Sequence, residues 1–262
     1  VNGTINDLAV AGARPLALSL SLILEEGLSM ETLESVIRSI AQTANQANVR
    51  VVTGDTKVVP RGACDGMFLT TSGVGHSILE MPGPAQLSVD DVLIVTGPIG
   101  RHGIAVMAAR ESLDFDPAPA SDCGCLWPAV ESLITAGISV KAMRDATRGG
   151  VAAVLHEWAA TSGKSLVIDM EELPESSPCR GVAELMGLDR LHVACEGTMV
   201  VAVSESEAES ALSALRHSEI SQQSAVFGRV EPRRAAAVCR RELLGTLVAI
   251  DEPAGAPLPR IC

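Results

Sequence analysis

The chain has 262 residues, 47% of them hydrophobic and only 2% aromatic, with 32 acidic against 20 basic side chains and a formal net charge of −12. This length suits two domains with ample material for their cores, and the acidity and scarcity of stacking rings exclude a nucleic-acid groove. No apolar run reaches the roughly 18 residues that a bilayer crossing needs.

The opening VNGTINDLAV has no basic n-region of a signal peptide. It lacks Met and starts within an element, so the natural N-terminus is expected upstream. LALSLSLIL (16–24) has the period of two of a strand. Ser29 is then an N-cap, Glu31 suits a first turn, and Leu33, Val36, Ile37, Ile40 and Ala44 mark one face of a helix. VRVVT (49–53) and MFLTTSGVG (67–75) are β-rich and bracket GDTKVVPRG, expected to be a polar loop. PGPAQLSVDD (82–91) is expected to link two domains.

A second α/β cycle follows. VLIVTG (92–97) has a buried-strand pattern, IAVMAARE is an apolar helix, and ISVKAM (138–143) is expected as a strand leading into the turn RDATRGG. VAAVLHEWAATSG is helical and stops at Gly163, a suitable C′ residue. Ser204 and Glu207 form the pattern of a capping box. AVFGRV, AAAVC and GTLVAID complete the strands. In DEPAGAPLPRIC, Pro253, Pro257 and Pro259 deny the segment a helix or central strand, which predicts an extended mobile arm with Cys262 at its tip.

Three polar loops are expected to interrupt the apolar pattern: NDLA (6–9), GDTK (54–57) and RDATRGG (144–150). Each sets an Asp near small residues or glycine. Backbone N–H groups there attract phosphate and carboxylates hold Mg²⁺, although an Asp beside Gly also serves as a turn former. No Walker A or GxGxxG pattern is present. Glu196 stands at the start of a strand, where an exposed turn acid is equally expected, and Lys57 would ordinarily be a solvated cation. Seven cysteines with a lone CxC at Cys123 and Cys125 indicate neither a zinc ribbon nor a disulfide framework. Most are expected to be small buried residues in a reducing cytoplasm.

Taken together, LILEEG, VVTGDTKVVPRG, RHGIAV, DATRGGVA, ACEG and the terminal PRIC resemble the HypE family of hydrogenase maturation proteins. That family belongs to the aminoimidazole ribonucleotide synthetase and selenophosphate synthetase superfamily. The resemblance runs from residue 2 to Cys262. It implies a two-domain, aminoimidazole ribonucleotide synthetase-like α/β (α+β) fold of mixed sheets flanked by helices. Residues 1–84 would form an ATP-binding and dimerisation domain, 88–250 a synthetase-like domain, and 251–262 a flexible tail. Relatives carry a further Gly-rich segment and another acidic metal ligand ahead of residue 1. Where they read NEGK, this chain reads CEGT, which sets Cys195 and Thr198 beside Glu196.

The resemblance implies a cytoplasmic, homodimeric, ATP-dependent carbamoyl dehydratase. A carbamoyltransferase (HypF) would load Cys262, ATP would drive conversion to a thiocyanate, and the cyanide would pass to iron on a HypC–HypD complex. Asp7 and Asp145 would hold Mg²⁺. Asp7, Asp55, Thr147, Arg148, Gly149 and Gly150 would contact ATP, and Lys57 and Glu196 would handle protons around Cys262. Two alternatives remain open on the residues alone: another amide-activating synthetase of the superfamily, and a non-catalytic carrier for maturation partners. The terminal cysteine separates the first of these, and ATP turnover the second.

Overall fold

The alternation of ARPLALSLSLILE becomes a 13-residue strand, β1 (Ala13–Glu25), in the computed structural model, which describes residues 1–253. The chain forms two units, Val1–Leu79 and Glu80–Cys262.

In the first unit, α1 (Asn2–Val10) precedes β1, and α2 (Met30–Gln46), β2 (Arg50–Val59) and β3 (Met67–Ser77) follow it. The mixed sheet has the order β2-β1-β3, with β2 parallel and β3 antiparallel to β1. Leu18, Leu20 and Leu24 of β1 point to one face and are buried. α1 covers that face: Thr4 Oγ1 meets Thr71 Oγ1 at 2.5 Å, and a β-carbon on Gly73 would lie 2.9 Å from both Thr4 and Leu8. Ser29 caps α2 as expected, its hydroxyl accepting the Thr32 N–H at 3.1 Å.

Two polar stretches expected as loops are regular structure. NDLA lies within α1, because Ile5 and Ala9 on one helical face are fully buried. GDTKVV continues β2 to Val59, its residues pairing with Leu20–Glu25 of β1. An edge strand exposed along nearly its whole length shows no apolar alternation, so its hydrogen-bonded partner defines it rather than its side chains.

The second unit contains β4 (Val92–Val95), α3 (Arg101–Arg110), α4 (Trp127–Thr135), β5 (Ala142–Asp145), α5 (Gly150–Ser162) and β6 (Ser165–Asp169). α6 (Ser177–Met186), β7 (Met199–Val203), α7 (Ala208–Arg216), β8 (Ala225–Glu231), β9 (Val238–Arg241) and β10 (Leu247–Ala249) complete it. Seven strands pair in the order β10-β9-β6-β8-β4-β7-β5, antiparallel except for β6 with β9. Val151, Leu155 and Trp158 of α5 pack with Leu93, Val200 and Phe227 of the sheet in one core.

Three local expectations are corrected. The strand expected over 138–143 forms at Ala142–Asp145, where Met143 and Arg144 pair with Val201 and Val200. The 82–91 stretch is packed on the second unit: Gly83 N–H donates to Lys141 O at 3.0 Å, and Lys141 Nζ lies 2.6 Å from Asp91 Oδ1. The capping box does not form. Ser204 Oγ donates to Glu207 Oε2 at 3.2 Å, while Glu207 Oε1 accepts the Ser139 N–H at 2.8 Å, so the carboxylate serves a neighbouring loop. Among the described residues, no helix is long and apolar enough to cross a membrane.

Candidate functional site

In the first unit, the β-sheet register decides which candidate residues share a face. Ser21 lies opposite Asp55 on β2 and Thr70 on β3, and Ile23 lies opposite Lys57 and Phe68. Paired residues point to the same side of a sheet, so Asp55 and Lys57 stand on the outer face, with Ile23 and Phe68 as neighbours. Asp7 is exposed on α1, which covers the inner face. The sheet therefore separates Asp7 from Asp55 and Lys57 within this unit. Asp55 Oδ1 accepts the Thr56 N–H at 2.9 Å.

The remaining candidates, Cys262 excepted, belong to the second unit, where two loops are tied together. β5 ends at Asp145, which is 7% exposed, and the turn 146–149 leads into α5. Ala146 N–H donates to Thr198 O at 3.0 Å, and Cys195 N–H donates to Ala146 O at 2.9 Å. The turn holding Asp145, Thr147, Arg148, Gly149 and Gly150 is thus fixed beside the loop holding Glu196. Thr147 is half-buried and Arg148 exposed.

Gly149 and Gly150 both have positive φ, +77° and +61°. A β-carbon on Gly150 would lie 2.4 Å from Leu191 O and 2.7 Å from Val193 O. The close passage of that backbone is enough to require glycine there. Gly149 caps α5 without a side-chain hydrogen bond, so this helix begins with N–H groups suited to an anion. That N-terminus, exposed Arg148 and buried Asp145 fit a nucleotide phosphate with its cation. Among the described residues, no three His, Cys, Asp or Glu side chains converge on a metal-sized gap. A cation that takes one or two carboxylates and completes its shell with water and phosphate, as Mg²⁺ does, fits this donor set.

The residue that sequence reasoning missed is Asp122. Its carboxylate accepts three hydrogen bonds from the Glu196 loop: Glu196 N–H at 3.1 Å, Gly197 N–H at 3.0 Å and Thr198 Oγ1 at 2.9 Å. Its partners are 74 to 76 positions away, and no local pattern signals such a contact. Asp122 also lines a cleft of about 700 Å³, with Arg101, Cys123, Cys125, Gly197 and Thr198. Beside it, His102 Nδ1 and Ser121 Oγ are 2.9 Å apart, and burial lowers the His102 pKa against the opposing pull of Asp122.

Cys195 and Thr198 are both turned into the fold. Cys195 is fully buried and its sulfur accepts the Gly100 N–H at 3.1 Å. Burial, with the Asp122 carboxylate adding to it, pushes this thiol far above the usual range, so it is a packing residue and no nucleophile. Burial also raises Cys125. Cys123 is exposed, and its N–H donates to Ser121 Oγ at 3.0 Å. Cys262 lies outside the described residues.

The two units match two family descriptions, AIR synthase related protein, N-terminal domain over residues 1–77 and C-terminal domain over residues 88–239. Carbamoyl dehydratase HypE of Escherichia coli strain K12 is 45% identical over 261 residues, covering 99% of this chain and 77% of that protein. The chain belongs to the HypE family. A crystal structure of E. coli HypE superposes with a TM-score of 0.94, covering 100% of this chain and 80% of that one. A crystal structure of a HypE in complex with ATP, 36% identical, has a TM-score of 0.94 over 100% of this chain and 80% of that one. HypE in a HypE–HypF complex, 39% identical, has a TM-score of 0.91 over 97% of this chain and 83% of that one. Membership of the family agrees with the resemblance carried by GDTKVV, DATRGG and PRIC, and the fold is the expected arrangement of mixed sheets flanked by helices.

Proposed function

We propose that the chain is an ATP-dependent dehydratase that converts an S-carbamoyl group on its own Cys262 into a thiocyanate. The cyanide then becomes a ligand of the iron in a [NiFe]-hydrogenase centre. The observation that carries this reading is the pair of hydrogen bonds, Ala146 to Thr198 and Cys195 to Ala146, that keeps the Asp145–Gly150 turn beside Glu196. Support comes also from relatives named carbamoyl dehydratase and from a relative crystallised with ATP.

In balanced form, R–S–C(=O)NH₂ and ATP give R–S–C≡N, ADP, phosphate and a proton. The carbamoyl oxygen attacks the γ-phosphorus and ADP leaves. The phosphorylated oxygen then departs as phosphate while nitrogen loses two protons and the C≡N bond forms. Oxygen leaves poorly unless phosphorylated, which explains the need for ATP. Glu196 is the base for those protons and Lys57 the companion cation that steers their transfer. Thr147, Arg148 and the Gly149–Gly150 backbone hold the phosphates; Asp55 and Asp7 are the nucleotide contacts proposed for the first unit, each on its own face of that sheet. Asp145, and Asp7 in the first unit, are the carboxylates assigned to Mg²⁺, which supplies charge screening to the phosphates when bound.

HypF is the proposed carbamoyl donor, in line with the HypE–HypF complex of a relative, and a HypC–HypD complex the proposed cyanide acceptor, in the cytoplasm. The protein acts as a homodimer, a reading supported by apolar side chains on the outer face of the first unit's sheet. Phe68 and Val74 there are 51% and 62% exposed.

Phosphate release tests this function. With HypF, carbamoyl phosphate and MgATP, the wild type should release phosphate from ATP only after carbamoylation, and Cys262→Ala should abolish the dependence. Equal release from both proteins would contradict the reading.

A further inference from the structure

The last described residues are held at several points. Ile250 is 6% exposed and belongs to the apolar core, and its N–H donates to Val238 O at 3.0 Å. Two histidines from separate elements grip the carbonyls that follow. His156 Nε2, on α5, donates to Ile250 O at 3.0 Å. His192 Nε2, in the short turn Arg190–His192, donates to Asp251 O at 3.0 Å. A carbonyl only accepts, so each ring carries a proton on Nε2.

Pro253 then comes up against the phosphate-loop candidate itself. A β-carbon on Gly149 would lie 3.4 Å from Pro253 Cβ and Cγ. The same turn carries Thr147, Arg148 and Gly150. The strand before this segment, β10, has only three residues and sits at the sheet edge, so its pairing alone is a weak anchor. His156 and His192 supply fixed points beyond it, one on α5 just past the turn and one on the backbone that Gly150 passes closely.

We propose that His156 and His192 are positioning residues that root the C-terminal segment at the 144–150 turn, so that the reach of Cys262 begins beside the groups that hold ATP. The inference rests on Cys262 being the carrier of the carbamoyl group. Nine residues follow Pro253 (262 − 253 = 9), and nine residues span at most about 30 Å. A fixed root confines the thiol to a volume centred on the turn and raises its effective concentration there. Without the two histidines the root slackens, the volume grows, and encounters of the S-carbamoyl group with ATP become rarer. Loading by HypF depends on a different encounter and should not suffer.

The experiment compares the intact wild-type chain with His156→Ala/His192→Ala and with His156→Gln/His192→Gln, in which the amide N–H stands near the original Nε2. Three rates are read: carbamoylation by HypF, single-turnover loss of water at saturating MgATP, and amide hydrogen exchange across 249–252. The double alanine variant should lose water about twofold more slowly, because freeing the chain back to Ala249 lengthens the tether from nine to 13 residues (262 − 249 = 13) and effective concentration falls roughly as the −3/2 power of length. Its carbamoylation rate and half-saturating ATP concentration should be unchanged, its exchange faster, and the glutamine pair should restore both altered rates. Wild-type dehydration by the alanine variant, or glutamine variants as slow as alanine, would overturn the proposal. If the wild type itself never loses water, the functional reading fails, and exchange decides the root separately: unchanged exchange in the alanine variant overturns it, and faster exchange upholds the anchor.

Discussion

Asp122 Oδ2 accepts the Gly197 N–H at 3.0 Å, and the two backbones pass so closely that a β-carbon on Gly197 would fall 1.8 Å from the Asp122 carbonyl oxygen. This contact fixes the Glu196 loop from one side, and the hydrogen bonds to Ala146 fix it from the other.

Removing the Asp122 carboxylate should therefore loosen the site and the fold together. Asp122→Ala leaves the Gly197 N–H and the Thr198 hydroxyl buried without this acceptor, a cost on the order of 3 kcal/mol. Asp122→Asn keeps one accepting oxygen and should lose less. Urea unfolding of the two variants against the wild type checks the order, and an alanine variant as stable as the wild type would contradict it.

Gly150 and Gly163 both have positive φ, +61° and +68°, but only Gly150 is hemmed in by carbonyls. Gly150→Ala should cost more than about 2 kcal/mol, adding steric overlap to the strain of a left-handed residue. Gly163→Ala, with nothing within 4 Å of its added carbon, should cost about 1 kcal/mol from conformation alone. Midpoints of denaturant unfolding distinguish the two.

Much of this was legible where local chemistry decides local structure. The alternation of β1, the Ser29 cap and the Gly163 stop were all readable, because each depends on neighbours within a few residues. The strand nature of Gly54–Val59 was hidden, since an exposed edge strand needs only its partner β1 and shows no apolar pattern. Asp7 is an acid on the solvent side of a helix whose buried side consists of small and aliphatic residues, so the polar letters alone suggested a loop. Asp122 was invisible because three long-range bonds give it its role. The terminal PRIC carried the family, although Cys262 itself lies outside the described residues.

Glu25 offers a pH-dependent contact in the first unit. Its carboxylate accepts the N–H groups of Gly62 and Gly66, the latter at 2.9 Å. These bonds, Gly62 first and then Gly66, hold its pKa below the usual range, with Arg61 assisting. A lowered folded pKa contributes stability that is full above the unfolded value and lost as pH falls through the folded one. Hydrogen exchange in the loop 60–66 should therefore become less protected on acidification below pH ~4, and Glu25→Gln should remove that response. A loop equally protected at both ends of the range in the wild type would contradict the assignment.

The homodimer proposal makes its own demand. Phe68→Glu with Val74→Glu puts charge on the outer sheet face, twice over in a symmetric pair. Dimer dissociation should strengthen by roughly a hundredfold or more, from lost apolar burial alone. Sedimentation velocity at micromolar concentration should show monomer for the variant and dimer for the wild type.

The most direct measurement is the intact mass of the chain over time after HypF, carbamoyl phosphate and MgATP are added, for wild type, Glu196→Gln and Cys262→Ala. The wild type should gain one carbamoyl group and then lose one water, only when ATP is present. Glu196→Gln should gain the group and hold it, and Cys262→Ala should gain nothing. A wild-type adduct that forms and never loses water would make the protein a carrier and contradict the dehydratase account, and water loss from Glu196→Gln at the wild-type rate would remove Glu196 from the chemistry.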